Sequence, residues 1–284
     1  MKARWEAAGR PLLVDDVPKV MGIVNVTPDS FSDGGRWYGV DAAVEHALKL
    51  VEDGADILDV GGESTRPGSE VVPAEEEIRR VVPVIERLAA AVSVPISIDT
   101  MKAEVAREAV RAGACILNDV SGLRDEAMAA VAVDSGAAVV VMHMQGTPQT
   151  MQDDPRYDDV VEDVLAYLAG RVAWCEAAGI PRSRIAVDPG IGFGKTYEHN
   201  LALLRNLDRF GTLDCAVLLG VSRKGTLKTM TGRGMDQRLT SSVVCSLAGC
   251  TLGAGVVRVH DVGPMVDAIK VWGLVRGWKG TDDV

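Results

Sequence analysis

A chain of 284 residues, 47% apolar and 25% charged, can bury one large core, and a single α/β barrel of roughly 250 residues accounts for its length. Its formal net charge of −10 argues against nucleic-acid binding, which needs a basic face, but allows a small anionic substrate held by local Arg, Lys and backbone N–H groups. The five cysteines include no Cys-x-x-Cys pair and read as reduced thiols of a cytoplasmic protein, and no segment approaches the ~18 uninterrupted apolar residues of a membrane span.

Residues 1–18 read as an N-terminal extension, a short hairpin closing the bottom of the domain that follows over 19–280. Short apolar runs then alternate with longer amphipathic ones: strand at 20–24, helix at 41–53, strand at 57–60, helix at 74–91, strand at 96–98, helix at 102–112, strand at 115–117 and helix at 125–135. The second half repeats the pattern: strand at 138–142, helix at 158–178, strand at 185–187, helix at 197–207, strand at 216–219, helix at 237–252, strand at 256–259 and helix at 264–278. The apolar runs have strand length and are rich in β-branched residues, as expected of strands buried on both faces of a parallel sheet. Gly54, Gly113, Gly136 and Gly179 mark helix ends. Eight strand-helix units predict a (β/α)8 TIM barrel of the α/β class. The longer loops, 28–40, 61–73, 145–157 and 224–236, carry Gly, Ser, Thr, Asp and Pro.

Nearly every apolar run is followed at once by residues suited to chemistry. They are Asn25 and then Phe31 and Asp33; Glu63, Thr65, Arg66 and Pro67; Asp99 and Thr100; Asn118 and Asp119; His143; Asp188 and then Phe193 and Lys195; Ser222, Arg223 and Lys224; and Arg258, His260 and Asp261. In a parallel barrel all strand C-termini emerge on one face, so these clusters converge on one mouth. Helix N-capping explains Asp41, Thr100 and Asp119, but not Arg66, Lys224, Arg258 or His260, which cap poorly. His143 reads as a packed histidine at a strand end.

Lys224, Arg223, Arg66, Arg258 and His260 form a cationic rim suited to phosphate or diphosphate, with backbone donors from the glycine-rich turn at 190–194. Asp99, Asn118 and Asp188 point toward the barrel axis and suit a flat heterocycle carrying both donors and acceptors. Buried carboxylates need a ligand or a cation, and Lys224 is the expected cation. Asn25 with substrate phosphate oxygens suits Mg2+. Gly194-Lys195-Thr196 looks like the end of a phosphate-binding P-loop, but that pattern's first glycine falls at Pro189, leaving Lys195 open between a solvated loop lysine and a functional one.

The stretches Met21-Gly22-Ile23-Val24-Asn25-Val26-Thr27-Pro28-Asp29-Ser30-Phe31-Ser32-Asp33-Gly34-Gly35 and Asp59-Val60-Gly61-Gly62-Glu63-Ser64-Thr65-Arg66-Pro67-Gly68 resemble the two signatures of the dihydropteroate synthases. So do Ser97-Ile98-Asp99-Thr100, Asn118-Asp119-Val120, Met142-His143-Met144, the run from Asp188 to Lys195, Ser222-Arg223-Lys224 and the run from Arg258 to Val262. The resemblance covers residues 20–270 in order. It implies condensation of 6-hydroxymethyl-7,8-dihydropterin diphosphate with p-aminobenzoate, giving 7,8-dihydropteroate and pyrophosphate, in a homodimer packed through its last helices. By position it implies a pterin pocket of Asp99, Asn118, Asp188 and Lys224, with Met142, Phe193 and Gly220 around it. Asn25, Arg258 and His260 correspond to the Mg2+-diphosphate site, with Asn25 as the metal ligand. Thr65, Pro67 and Ser222 border p-aminobenzoate. Phe31, Asp33, Thr65, Arg66 and Pro67 lie on two mobile loops, and Asp33, Thr65, Arg66, Lys224, Arg258 and His260 carry the chemistry. Gly225-Thr226-Leu227 depart from the family, which has Ser or Arg and then bulky apolar residues there. The departure bears on the p-aminobenzoate edge and on sulfonamide affinity. A pterin-binding module of methyltransferase type shares the barrel and pocket, but is not expected to carry the first two loops together with Ser222-Arg223-Lys224 and Arg258–His260; an inactive paralogue without synthase activity is the other alternative, and the intact polar set argues against it.

Overall fold

The structure, a computed structural model, describes residues 4–13, 17–26, 36–66 and 68–277, without the side chains of residues 36–38. Phe31, Asp33, Pro67 and Trp278 lie outside the described residues.

Strands β1 (Trp5–Ala7) and β2 (Arg10–Leu13) pair as an antiparallel hairpin. Eight further strands follow: β3 (Lys19–Asn25), β4 (Ile57–Gly61), β5 (Ile96–Asp99), β6 (Ile116–Asp119), β7 (Ala138–Met142), β8 (Ile185–Asp188), β9 (Ala216–Leu219) and β10 (Val256–Val259). They close into a barrel in the order β10-β3-β4-β5-β6-β7-β8-β9, with parallel pairing throughout. The outer layer holds α1 (Arg36–Glu52), α2 (Ala74–Ala91), α3 (Ala103–Ala112), α4 (Glu126–Ser135), α5 (Val160–Ala177), α6 (Tyr197–Arg205), α7 (Gly225–Thr231), α8 (Leu239–Thr251) and α9 (Val262–Arg276). The chain is thus a (β/α)8 barrel.

Two cores follow from strand parity. Side chains alternate across a strand, so one set faces the helices and the other the barrel axis. The outward set, including Leu58, Val60, Ile98, Leu117, Val139, Val187 and Val257, packs with the apolar stripes of the helices. The inward set, Met21, Ile57, Ile116, Ala138, Val140, Ala186, Ala216, Leu218 and Val256, joins Trp5, Ala7, Leu12 and Leu13 of the hairpin in a second, separate core. The hairpin therefore stoppers the end of the barrel opposite the strand C-termini. Trp5 is fully buried there and its indole N–H donates to the Arg184 carbonyl at 3.1 Å.

Helix α1 begins at Arg36, five residues before the expected start at 41. Asp41 is consequently inside the helix, where it pairs with Arg87 at 2.5 Å instead of capping. Loop 224–236 contains the two-turn helix α7. Its Gly and three Thr residues are poor helix formers, but burial of Thr226 and Leu227 outweighs propensity. Asp119 builds its own loop by accepting from Ser121 N, Ser121 Oγ and Leu123 N at 2.7, 2.8 and 3.0 Å. Among the described residues no helix is long and apolar enough to cross a membrane.

Candidate active site

The inward parity that makes the barrel core also makes the site. Two residues beyond Ile57, Ser97, Ile116, Val140, Ala186, Leu218 and Val256 stand Asp59, Asp99, Asn118, Met142, Asp188, Gly220 and Arg258. This layer changes from apolar to polar at the strand C-termini, where the parallel topology brings all eight ends to one face.

Arg258 is the hub of the layer. Its Nε donates to Asp59 Oδ2 and its Nη2 to Asp99 Oδ2, both at 2.6 Å. Asn118 Nδ2 donates to the same Asp59 oxygen at 3.1 Å. Asp59 Oδ1 and Asp99 Oδ1 are buried without a partner. Burial raises the Asp99 carboxyl to about 7 against the pull of Arg258, and the Asp59 charge adds to the rise. The Arg258 guanidinium is held charged: burial works against it, but Asp59 and Asp99 outweigh that. The cation expected from Lys224 thus comes to Asp99 from Arg258, which lies on the pocket floor and not on its rim. Asp59 escaped the sequence reading because it sits inside an apolar strand. Its parity with Ile57 was the available signal.

The opposite wall comes from the turn after β8. Asp188 Oδ1 accepts Gly190 N at 2.7 Å, and burial raises this carboxyl while Lys224 opposes the rise. Lys224 Nζ donates to the Ile191 carbonyl at 2.6 Å and lies 4.5 Å from the centre of the Phe193 ring. Burial lowers the Lys224 ammonium to about 8, with Asp188 opposing. Met142 is buried with Met144, Met151 and Val120, and Met101 and Phe193 pack on that cluster. Gly220 leaves a slot: a side-chain carbon there would lie 3.7 Å from Lys224 Nζ and 3.9 Å from Arg258 Cβ. Lys195 is not solvated. It is 3% exposed and sits behind this wall.

At the rim, Ser222 Oγ accepts His260 N at 3.2 Å and lies 3.0 Å from His260 Nδ1. Arg223 holds a left-handed φ of +58°, a strained conformation for a residue with a side chain. Ser242 Oγ accepts its N–H at 2.9 Å, Arg238 Nη1 donates to its carbonyl at 2.8 Å, and Asp261 grips its guanidinium at 3.0 and 2.5 Å. These contacts direct Ser222 and Lys224 on either side of it. The buried Arg238 had no sequence signal, lying in a loop remote from any motif. Asn25 ends β3 half-buried, beside Gly61. Thr65 is half-buried and Arg66 exposed, yet the Arg66 charge reaches His260. Glu63 closes the stem of their loop, accepting from Val72 N at 3.1 Å and pairing with Lys102, which also holds Glu77 at 2.6 Å.

His260 is neutral at physiological pH, because burial, Arg258 and Arg223 lower it from 6.5 to about 4. A histidine depressed by folding contributes stability that is full above the unfolded value and is lost as pH falls toward the folded one. Replacing His260 with Asn removes this dependence. The stability gap between wild type and variant is therefore expected to narrow by roughly 3 kcal/mol from about pH 7 to pH 4 in urea titrations. A constant gap would count against a neutral buried imidazole.

A family profile described as pterin binding enzyme matches residues 21–260. Dihydropteroate synthase from Escherichia coli (strain K12) is 46% identical over 254 residues, spanning 89% of this chain and 90% of that protein. A solved structure of dihydropteroate synthase from Xanthomonas albilineans with 4-aminobenzoic acid superposes with a TM-score of 0.90 at 50% identity, covering 97% of this chain and 99% of that one. A structure from the same organism in complex with 7,8-dihydropteroate gives 0.87 at 48% identity, over 96% and 98%. With the profile running from the first barrel strand to the histidine of the last, and near-complete coverage at such identities, this chain belongs to the dihydropteroate synthases, a family of pterin-binding enzymes.

Proposed function

We propose that the mouth of the barrel joins p-aminobenzoate to 6-hydroxymethyl-7,8-dihydropterin diphosphate, releasing pyrophosphate and 7,8-dihydropteroate. The observation that carries this reading is the buried, unpartnered Asp99 Oδ1 beside Asn118 and opposite Asp188 and Lys224. An orphan buried acceptor is costly unless a ligand N–H meets it, and a pterin edge offers several. Met142 and Phe193 supply apolar faces for the flat ring, and Gly220 leaves room for it.

Asn25, Arg258 and His260 serve the diphosphate. Asn25 offers one neutral amide oxygen, and among the described residues no group of three or more His, Cys, Asp or Glu could hold a metal ion. That donor set fits a Mg2+ that arrives on diphosphate oxygens. When bound, Mg2+ supplies neutralisation of the leaving group's charge. As the methylene carbon–oxygen bond breaks, Arg258 stabilises negative charge on the departing oxygen and neutral His260 donates a hydrogen bond. The electron-rich dihydropterin supports the cation-like methylene. The amine nitrogen then bonds to that carbon and sheds a proton, with Ser222 and Thr65 bordering the p-aminobenzoate. The loop carrying Thr65 and Arg66 excludes water, which competes with the amine.

The test is pyrophosphate release by the purified protein given the dihydropterin diphosphate and Mg2+, with and without p-aminobenzoate. Dependence on p-aminobenzoate with dihydropteroate as product supports the synthase reading. Pterin binding without that dependence turns it into a binding module.

The protein is placed in the cytoplasm, where its five free thiols would stay reduced. It is also read as a homodimer, supported by the apolar side chains of Val244 of α8 and Val271, Leu274 and Val275 of α9, which are 60–71% exposed. Light scattering is expected to return about twice the 30.1 kDa chain mass.

A further inference from the structure

Lys195 and His143 are buried, titratable and unused by the chemistry above. Lys195 Nζ meets three acceptors: His143 Nδ1 at 2.9 Å, the Phe193 carbonyl at 2.9 Å and the His143 carbonyl at 3.3 Å. An ammonium has three N–H donors, so the acceptor count matches the charged form, while a neutral amine leaves one acceptor unmet. With Lys195 as an ammonium, His143 Nδ1 accepts and the ring proton sits on Nε2. The ring stays neutral because burial and the Lys195 charge lower its pKa to about 3.

Around this contact the turn after β8 lies flat against the end of β7. A side-chain carbon on Gly190 (φ +70°) would fall 1.9 Å from the His143 carbonyl oxygen, and one on Gly194 (φ +61°) 2.7 Å from that of Gln145. Tyr157 Oη donates to the Gly194 carbonyl at 2.6 Å. The same turn presents Phe193 to the pocket and gives Lys224 its Ile191 carbonyl.

We propose that Lys195 is a positioning residue: as an ammonium clasped to His143 and Phe193, it sets the pocket wall that holds the pterin ring. The proposal rests on the pterin reading of the pocket. Asp188 of β8 and Lys224 ahead of α7 face this ammonium with His143, and Tyr157, Tyr167 and Arg124 face His143 from the other side. Burial lowers Lys195 to about 7, with Asp188 opposing and Lys224 assisting, so the clasp loses its third donor within an accessible pH range.

The experiment is calorimetric titration with the dihydropterin diphosphate and Mg2+, without p-aminobenzoate, from about pH 6 to pH 9. Wild type should weaken about tenfold in two limbs, one near 7 from Lys195 with a share from Asp99 and one near 8 from Lys224, the size of a lost charge-assisted hydrogen bond. Lys195→Met should bind about tenfold more weakly at pH 6 and lose the Lys195 share of the lower limb, keeping the upper limb and the step from Asp99, which also titrates near 7, with KM for p-aminobenzoate unmoved. His143→Leu should reproduce the shallower lower limb if Lys195→Met folds poorly. A lower limb as deep in both variants as in wild type overturns the proposal, as does its absence from wild type. Wild type that binds no pterin at any pH instead sinks the functional reading beneath it.

Discussion

Replacing Arg258 with Met is expected to lower kcat/KM by at least about 10³-fold and to destabilise the fold by about 3–5 kcal/mol at pH 8. The two losses have one origin. Arg258 is the cation that Asp59 and Asp99 share, with Asp59 fully buried and Asp99 nearly so. Removing one partner from such a pair leaves charge uncompensated in a medium that cannot hydrate it. Because Asp99 already protonates near 7, the variant can relieve the stress by taking up a proton. Its instability should therefore ease as pH falls toward about 5, which thermal melts at several pH values would read. Adding Asp59→Asn to Arg258→Met should restore part of the stability and none of the activity. A double variant as unstable as the single one would mean the Asp59 contact is not the source.

Lys224→Met should behave differently: kcat/KM for the dihydropterin diphosphate falls about 10²-fold or more while the melting temperature falls less than in Arg258→Met, because the burial cost that Met removes offsets part of the loss of the cation facing Asp188. Burial lowers the Lys224 ammonium to about 8, so in the folded protein its charge is disfavoured relative to the unfolded chain. A lysine depressed by folding costs stability below the folded value and ceases to do so as pH rises toward the unfolded one. Met removes that cost and keeps contact with Phe193. What disappears is the cation facing Asp188 and lying over the Phe193 ring at 4.5 Å. In wild type, activity should decline as pH rises through about 8. An equally steep decline in Lys224→Met would assign that limb elsewhere.

Every barrel strand was visible in the sequence, because each is a short apolar run with a polar flank, and burial on both faces leaves that imprint. Helix starts were less visible. α1 runs back through Gly39 to Arg36, and α7 forms from Gly and Thr because packing outweighs propensity. Among the site residues, those on strand ends and loops stood out by chemistry. Asp59 did not, since a lone carboxylate among Ile57, Leu58 and Val60 shows its partner only when β10 returns Arg258 across the barrel. Lys195 and Arg238 were hidden for the complementary reason: a cation's surroundings, and hence its burial, depend on residues distant in sequence.

The stopper hairpin bears on how the molecule is made. Trp5 is anchored to Arg184, Glu6 accepts from Ser183 Oγ, and Ala8 N donates to Gly136. Strand β3 finds its second neighbour only when β10 pairs Val256 with Lys19. During synthesis, which proceeds from the N-terminus, the hairpin must therefore wait for β7 and β8, and β3 for β10. Until then an apolar barrel interior and an open strand edge stay uncovered on the ribosome, the interval in which this chain most needs holding by a chaperone.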